Sequence, residues 1–83
     1  MYSIAFAKEA QKEFLKLQKS AQELVAIKIK ELENGNFTTD RSLKGKHKGK
    51  YRKRAGDYRI IYLREDNLIL ITLVRIAHRK EVY

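Results

Sequence analysis

Cationic side chains recur through the second half of the chain at spacings that let them act together. Lys44, Lys46 and Lys48 precede Lys50, Arg52 and Arg54, Arg59 follows, and His78 and Arg79 lie close to Tyr83. Guanidinium and ammonium groups gathered in a cleft hold phosphates and stabilise the charge that builds on a phosphorus under attack, a step that requires no metal. Histidine is a residue type suited to giving or taking a proton, which makes His78 a candidate, and Tyr83 offers an aromatic ring and a hydroxyl. The chain has no cysteine, which excludes thiolate chemistry, disulfides and cysteine-based zinc sites.

A formal charge of +9 on 83 residues carries a self-repulsion that usually accompanies binding to a polyanion. RNA, DNA, an anionic membrane or an acidic protein would all supply one; the plainer alternative is a set of lysine-rich helices that are merely well solvated. No apolar run approaches the roughly 20 residues that span a bilayer, and Met1 to Ala10 lacks the pattern of an export signal. A cytoplasmic protein of one domain, residues 1–83, is expected.

The elements that must position these residues can be traced from periodicity. Tyr2, Ile4 and Phe6 alternate with smaller residues as in a half-buried strand. Ala10, Phe14 and Leu17 recur at helical spacing over about Lys8 to Lys19. Ser20 and Glu23 have the form of a capping box that starts a second helix, with Ala21, Val25, Ile29 and Leu32 as its core stripe, Leu24 and Ile27 widening it, and Gly35 ending it. Asn36 to Lys50 is poor in apolar anchors and is expected to be an exposed, mobile connection. Three strand candidates follow, Lys50 to Arg54, Tyr58 to Leu63 and Leu68 to Ile76. The expected fold is α+β: a four-stranded antiparallel sheet with an N-terminal αα-hairpin packed on one face, in the order β-α-α-β-β-β.

If Gly56 and Asp57 form the centre of a tight hairpin, Arg54 faces Arg59, Arg52 faces Ile61 and Lys50 faces Leu63. Alternation then puts Lys50, Arg52, Arg54 and Arg59 on one face, and Tyr51, Tyr58, Ile60 and Tyr62 on the other, where Lys53 is the misfit. Directly opposed arginines repel each other, and a polyanion would remove that penalty. A solvated face with partners such as Asp57 or Glu65 is the alternative. A longer loop would scatter the cluster.

The segments LKGKHKGKYRKRAGDYRIIY, Leu43 to Tyr62, and HRKEVY, His78 to Tyr83, resemble the RelE/ParE superfamily of bacterial toxins over nearly the whole chain. The first is similar to the hairpin shared across that superfamily, and the second to the closing residues of its RelE-like mRNA interferase branch. The resemblance implies a RelE-like microbial ribonuclease fold and a metal-independent endoribonuclease that cuts mRNA in the ribosomal A site. It also implies neutralisation by a cognate antitoxin, which should present an acidic segment to Lys50 to Arg59. No cofactor and no membrane partner are implied.

Carried over by position, Lys50 and Arg52 resemble residues of substrate binding and proton transfer, and Arg59 and Arg79 resemble phosphate-stabilising arginines. Arg54 joins them on the facing geometry alone. Arginine stays charged and is a poor proton donor, so proton transfer would fall to Lys50, His78 or Tyr83. Lys44, Lys46 and Lys48 are expected to touch RNA, and His47 to lie at that surface. A ParE-like inhibitor of DNA gyrase, which needs no catalytic residue, and a non-enzymatic RNA-binding module are the competing functions.

Overall fold

The computed structural model describes residues 1–45 and 49–80. Its elements are β1 (Ser3–Phe6), α1 (Lys8–Lys16), α2 (Lys19–Glu33), β2 (Arg41–Ser42), β3 (Lys50–Ala55), β4 (Tyr58–Glu65) and β5 (Leu70–His78). They build a five-stranded sheet in the order β1-β5-β4-β3-β2. The expected four antiparallel strands are therefore corrected twice.

The first correction is direction: β1 pairs with β5 in parallel, Ser3 with Leu70 through Phe6 with Leu73. Helix α2 returns the chain to the end where β1 begins, where the Tyr2 N–H donates to the Glu33 carbonyl at 2.9 Å. Strand β3 leaves from that end, and two reversals later β5 runs the same way as β1. The second correction is β2, a two-residue strand antiparallel to β3, too short to leave a periodic signal in the sequence. Smaller differences follow. Helix α2 starts at Lys19 with Gln18 as a cap that makes no side-chain bond, so Ser20 caps nothing. Ile27 is exposed.

Ala10 of α1 and Val25 and Leu32 of α2 share one apolar cluster with Ala55, Ile60, Tyr62, Ile71, Leu73 and Ile76. All the strand members of that cluster fall on one face by register. A bulge, with Val74 as the extra residue opposite the Ile61–Tyr62 step, interrupts the β4–β5 ladder. Glu13 of α1 reaches this point, accepting from the Ile76 N–H at 2.8 Å and from Arg75 Nη2 at 2.7 Å. The carboxylate thus takes a backbone donor and a guanidinium together, tying α1 to β5.

Lys53, the misfit of the alternation, lies on the apolar face and is 2% exposed. Its ammonium donates to Asp40 Oδ1 at 3.0 Å and to the Asn36 carbonyl at 3.1 Å, and Glu31 Oε1 is 3.3 Å away. Asp40, its side chain 1% exposed, also accepts from the Tyr62 hydroxyl. These bonds hold residues 36–40 against the sheet, where Phe37 stacks on Tyr62 and lies under the Arg64 guanidinium, 4.2 Å from the ring centre. The front half of the expected mobile connection is anchored.

Two outcomes follow from the buried network. Lys53→Met leaves Asp40 buried without its cation and lowers unfolding free energy by roughly 3–5 kcal/mol in urea titrations. Burial, and then the bond to Asp40, push the Tyr62 hydroxyl well above the ordinary tyrosine range. Above about pH 10 the unfolded chain releases this proton while the folded chain keeps it, so the stability it contributes is full below that pH and declines above it. Tyr62→Phe should flatten that alkaline decline in urea titrations run across the range.

Candidate nucleic-acid interface

The hairpin that carries the cationic residues turns on Gly56 and Asp57, with Ala55 paired to Tyr58. Gly56 has φ +62° while Asp57 stays on the ordinary side, the pattern of a turn whose first central residue must be glycine. A Cβ added at Gly56 would meet Leu24 Cδ2 at 2.7 Å, so α2 closes over the turn as well. The register pairs Arg54 with Arg59, Arg52 with Ile61 and Lys50 with Leu63. Lys50, Arg52, Arg54 and Arg59 therefore share the face opposite the apolar cluster.

Strand β2 adds a second opposed pair, Arg41 with Arg52. A hollow of about 460 Å³ opens at this edge of the sheet, lined by Lys28, Thr39, Arg41, Arg52, Arg54 and Gly56. Among the described residues, no carboxylate lines it. Among the described residues, Arg41, Arg52 and Arg54 have no acidic partner, whereas Lys28 pairs with Glu31 at 3.2 Å. The nearest carboxylate along the chain, Asp40, is held by Lys53 and Tyr62.

Arg59 and Arg79 meet at the turn. Arg59 Nη1 donates to the Tyr58 carbonyl at 3.2 Å and to the Gly56 carbonyl at 3.4 Å. The Arg79 N–H donates to the Asp57 carbonyl at 2.8 Å, and its Nε lies 3.9 Å from Asp57 Oδ1. The Arg59 guanidinium is thus held by carbonyls of the turn and the Arg79 backbone by Asp57, at the end of the sheet where Arg54 also sits.

His78 is not brought to this face. It pairs with Tyr58 and so takes the side of the sheet that Tyr58 takes, its ring edge-on to the tyrosine at 5.5 Å. Its surroundings are a separate hollow of about 330 Å³ lined by Glu9, Glu13, Lys16, Leu17, Tyr58, Ile76 and Ala77. Nδ1 accepts from the Lys80 N–H at 3.2 Å, which leaves Nε2 as the nitrogen that carries the proton in the neutral ring. Lys44 is exposed on the connection after β2. Lys46, His47, Lys48 and Tyr83 lie outside the described residues. Arg41 and Lys28 had no signal as members of the site, because the edge strand that places Arg41 is only two residues long.

A family model described as the ParE toxin of type II toxin–antitoxin systems matches residues 4–83. The chain belongs to that family, within the RelE/ParE superfamily. No curated protein matches this family member in sequence. Among solved structures, it is similar to RelE in the archaeal RelE–RelB complex from Pyrococcus horikoshii, with TM-score 0.80 and 24% identity over 98% of each chain. It is also similar to the isolated Escherichia coli RelE toxin, with TM-score 0.80 and 21% identity over 94% of this chain and 84% of that one. A third likeness is to the YoeB–YefM complex from Staphylococcus aureus, with TM-score 0.76 and 16% identity over 94% and 97%. These likenesses bear out the α+β architecture of a RelE-like toxin.

The opposed arginines predict an inverted stability effect. Arg54→Ala should raise unfolding free energy by about 0.2–1 kcal/mol at low salt, by removing a like-charge pair. Differential scanning calorimetry at low and high salt would show the gain shrinking as salt rises.

Proposed function

We propose that this toxin is a metal-independent endoribonuclease that cleaves mRNA, bound in the ribosomal A site, and so arrests translation. The observation that carries this reading is the arginine face itself: Arg52 and Arg54 beside a hollow that no carboxylate lines among the described residues, with the Arg59 guanidinium and the Arg79 backbone bonded to the adjoining turn. A phosphodiester seated there meets the Arg59 guanidinium, held by turn carbonyls before reaction, with the charges of Arg52 and Arg54 beside it, which favours the extra charge of the phosphorane over the ground state. The RelE-like fold supports the same reading.

Cleavage also needs a proton taken from the 2′-OH and one given to the 5′-oxygen. Arg52 keeps its charge and supplies electrostatics rather than protons. Lys50, on the same face, and Tyr83 are the groups assigned to proton transfer. His78 acts outside this site, since its register directs it to the opposite face. The partners are mRNA on the ribosome and, as in the toxin–antitoxin complexes that share the fold, a cognate antitoxin, here with an acidic segment that meets the arginine face in the cytoplasm.

A second reading, non-enzymatic inhibition of DNA gyrase, is favoured by two observations: the matching family model is that of ParE, and His78 is separated from the arginines. Induction of the toxin distinguishes them. The nuclease reading expects growth arrest with new transcript 5′ ends that depend on ribosomes. It also expects a loss of cleavage of roughly 10²–10³-fold in Arg59→Ala or Arg79→Ala, with circular dichroism unchanged. Intact transcripts together with accumulating DNA breaks would establish the gyrase reading instead.

A further inference from the structure

We propose that Arg41 and Arg52 form a second phosphate subsite, which holds the phosphodiester one nucleotide step from the one gripped by Arg54 and Arg59. This deepens the reading of the arginine face as an RNA site and rests on it.

Three observations carry the subsite. Arg41 and Arg52 are direct cross-strand partners, so their Cα atoms stand about 4.5–5.5 Å apart and their side chains can converge on one anion. Arg54 lies two residues beyond Arg52 on the same strand and face, about 7 Å away, a separation suited to successive phosphates of an extended strand. Neither guanidinium is neutralised internally: Arg41 and Arg52 have no acidic partner among the described residues, and Asp40 beside them is held by Lys53 and Tyr62.

The hollow's lining selects the ligand. Lys28, Thr39, Arg41, Arg52, Arg54 and Gly56 include no aromatic or branched aliphatic side chain. A protein segment docks mainly through apolar anchors set in pockets, whereas a phosphodiester backbone is held by cations and hydroxyls alone. The wall also does not depend on the bound RNA for its position. Buried bonds from Lys53 to Asn36 and Asp40 hold the segment that leads into Arg41.

The test uses 2′-O-methyl oligonucleotides, which bind but cannot be cleaved, carrying one or two phosphodiesters. Fluorescence anisotropy is measured over a salt series for the wild-type toxin, Arg41→Ala, Arg41→Lys and Arg59→Ala. The wild type should bind the two-phosphodiester probe more tightly than the other. Arg41→Ala should lose roughly tenfold in affinity for the longer probe, lower its salt slope by about one phosphate contact and leave the shorter probe unaffected. Arg41→Lys should restore the salt slope, which a merely structural role would not predict, and Arg59→Ala should weaken both probes.

Unchanged affinity and slope for the longer probe in Arg41→Ala would overturn the subsite while leaving the RNA reading intact. Failure of the wild type to bind either probe would overturn both. An Arg41-dependent affinity for an oligoglutamate peptide, with none for the longer probe, would overturn the subsite in favour of an acidic protein partner.

Discussion

The structure depends on one buried ion pair. Lys53 shares its face of β3 with Tyr51 and Ala55, and removing its charge from water is compensated only because Asp40 and the Asn36 carbonyl meet it at about hydrogen-bond distance, with Glu31 close by. The same contacts draw residues 36–40 onto the sheet and set the direction from which Arg41 enters β2. A buried pair of this kind adds little net stability over an apolar substitute. Its effect here is placement: it engages the carboxylate of Asp40, which would otherwise be the nearest neutralising group for the arginines beyond it.

The hairpin does the rest. A two-residue turn leaves no freedom in register, so each residue of β3 has a determined face. Leu24 seals the turn from the α2 side, and the backbone carbonyls of Gly56 and Tyr58 fix Arg59. Cations on a sheet face are held more firmly than cations on a loop, which suits the proposed cleavage site, where a transition state would have to be favoured over the substrate. The cost is repulsion between Arg54 and Arg59 and between Arg41 and Arg52, which an anionic ligand relieves.

This face was legible in the sequence because it follows from parity alone: Gly56-Asp57 as the turn determines which residues share a side. Lys53 stood out as a misfit, but its partners were not legible, because Asp40 lies 13 residues away across a segment whose composition reads as solvent-exposed. The parallel pairing of β1 was hidden for a related reason. It depends on where α2 delivers the chain, which periodicity does not encode. The separation of His78 from the arginines follows from its pairing with Tyr58, a tertiary relation between strands that side-chain chemistry does not reveal, and the bulge at Val74 has no signature in an almost wholly apolar run.

On the proposed reading, phosphate binds the arginine face and not the hollow around His78. Proton–nitrogen correlation spectra of the arginine Nε–H and histidine ring groups, recorded as a 2′-O-methyl RNA is added, test it directly. Phosphate binding at the arginine face gives saturable shifts at Arg52, Arg54 and Arg59 with His78 unmoved. Shifts centred on His78, with those arginines unchanged, would contradict it.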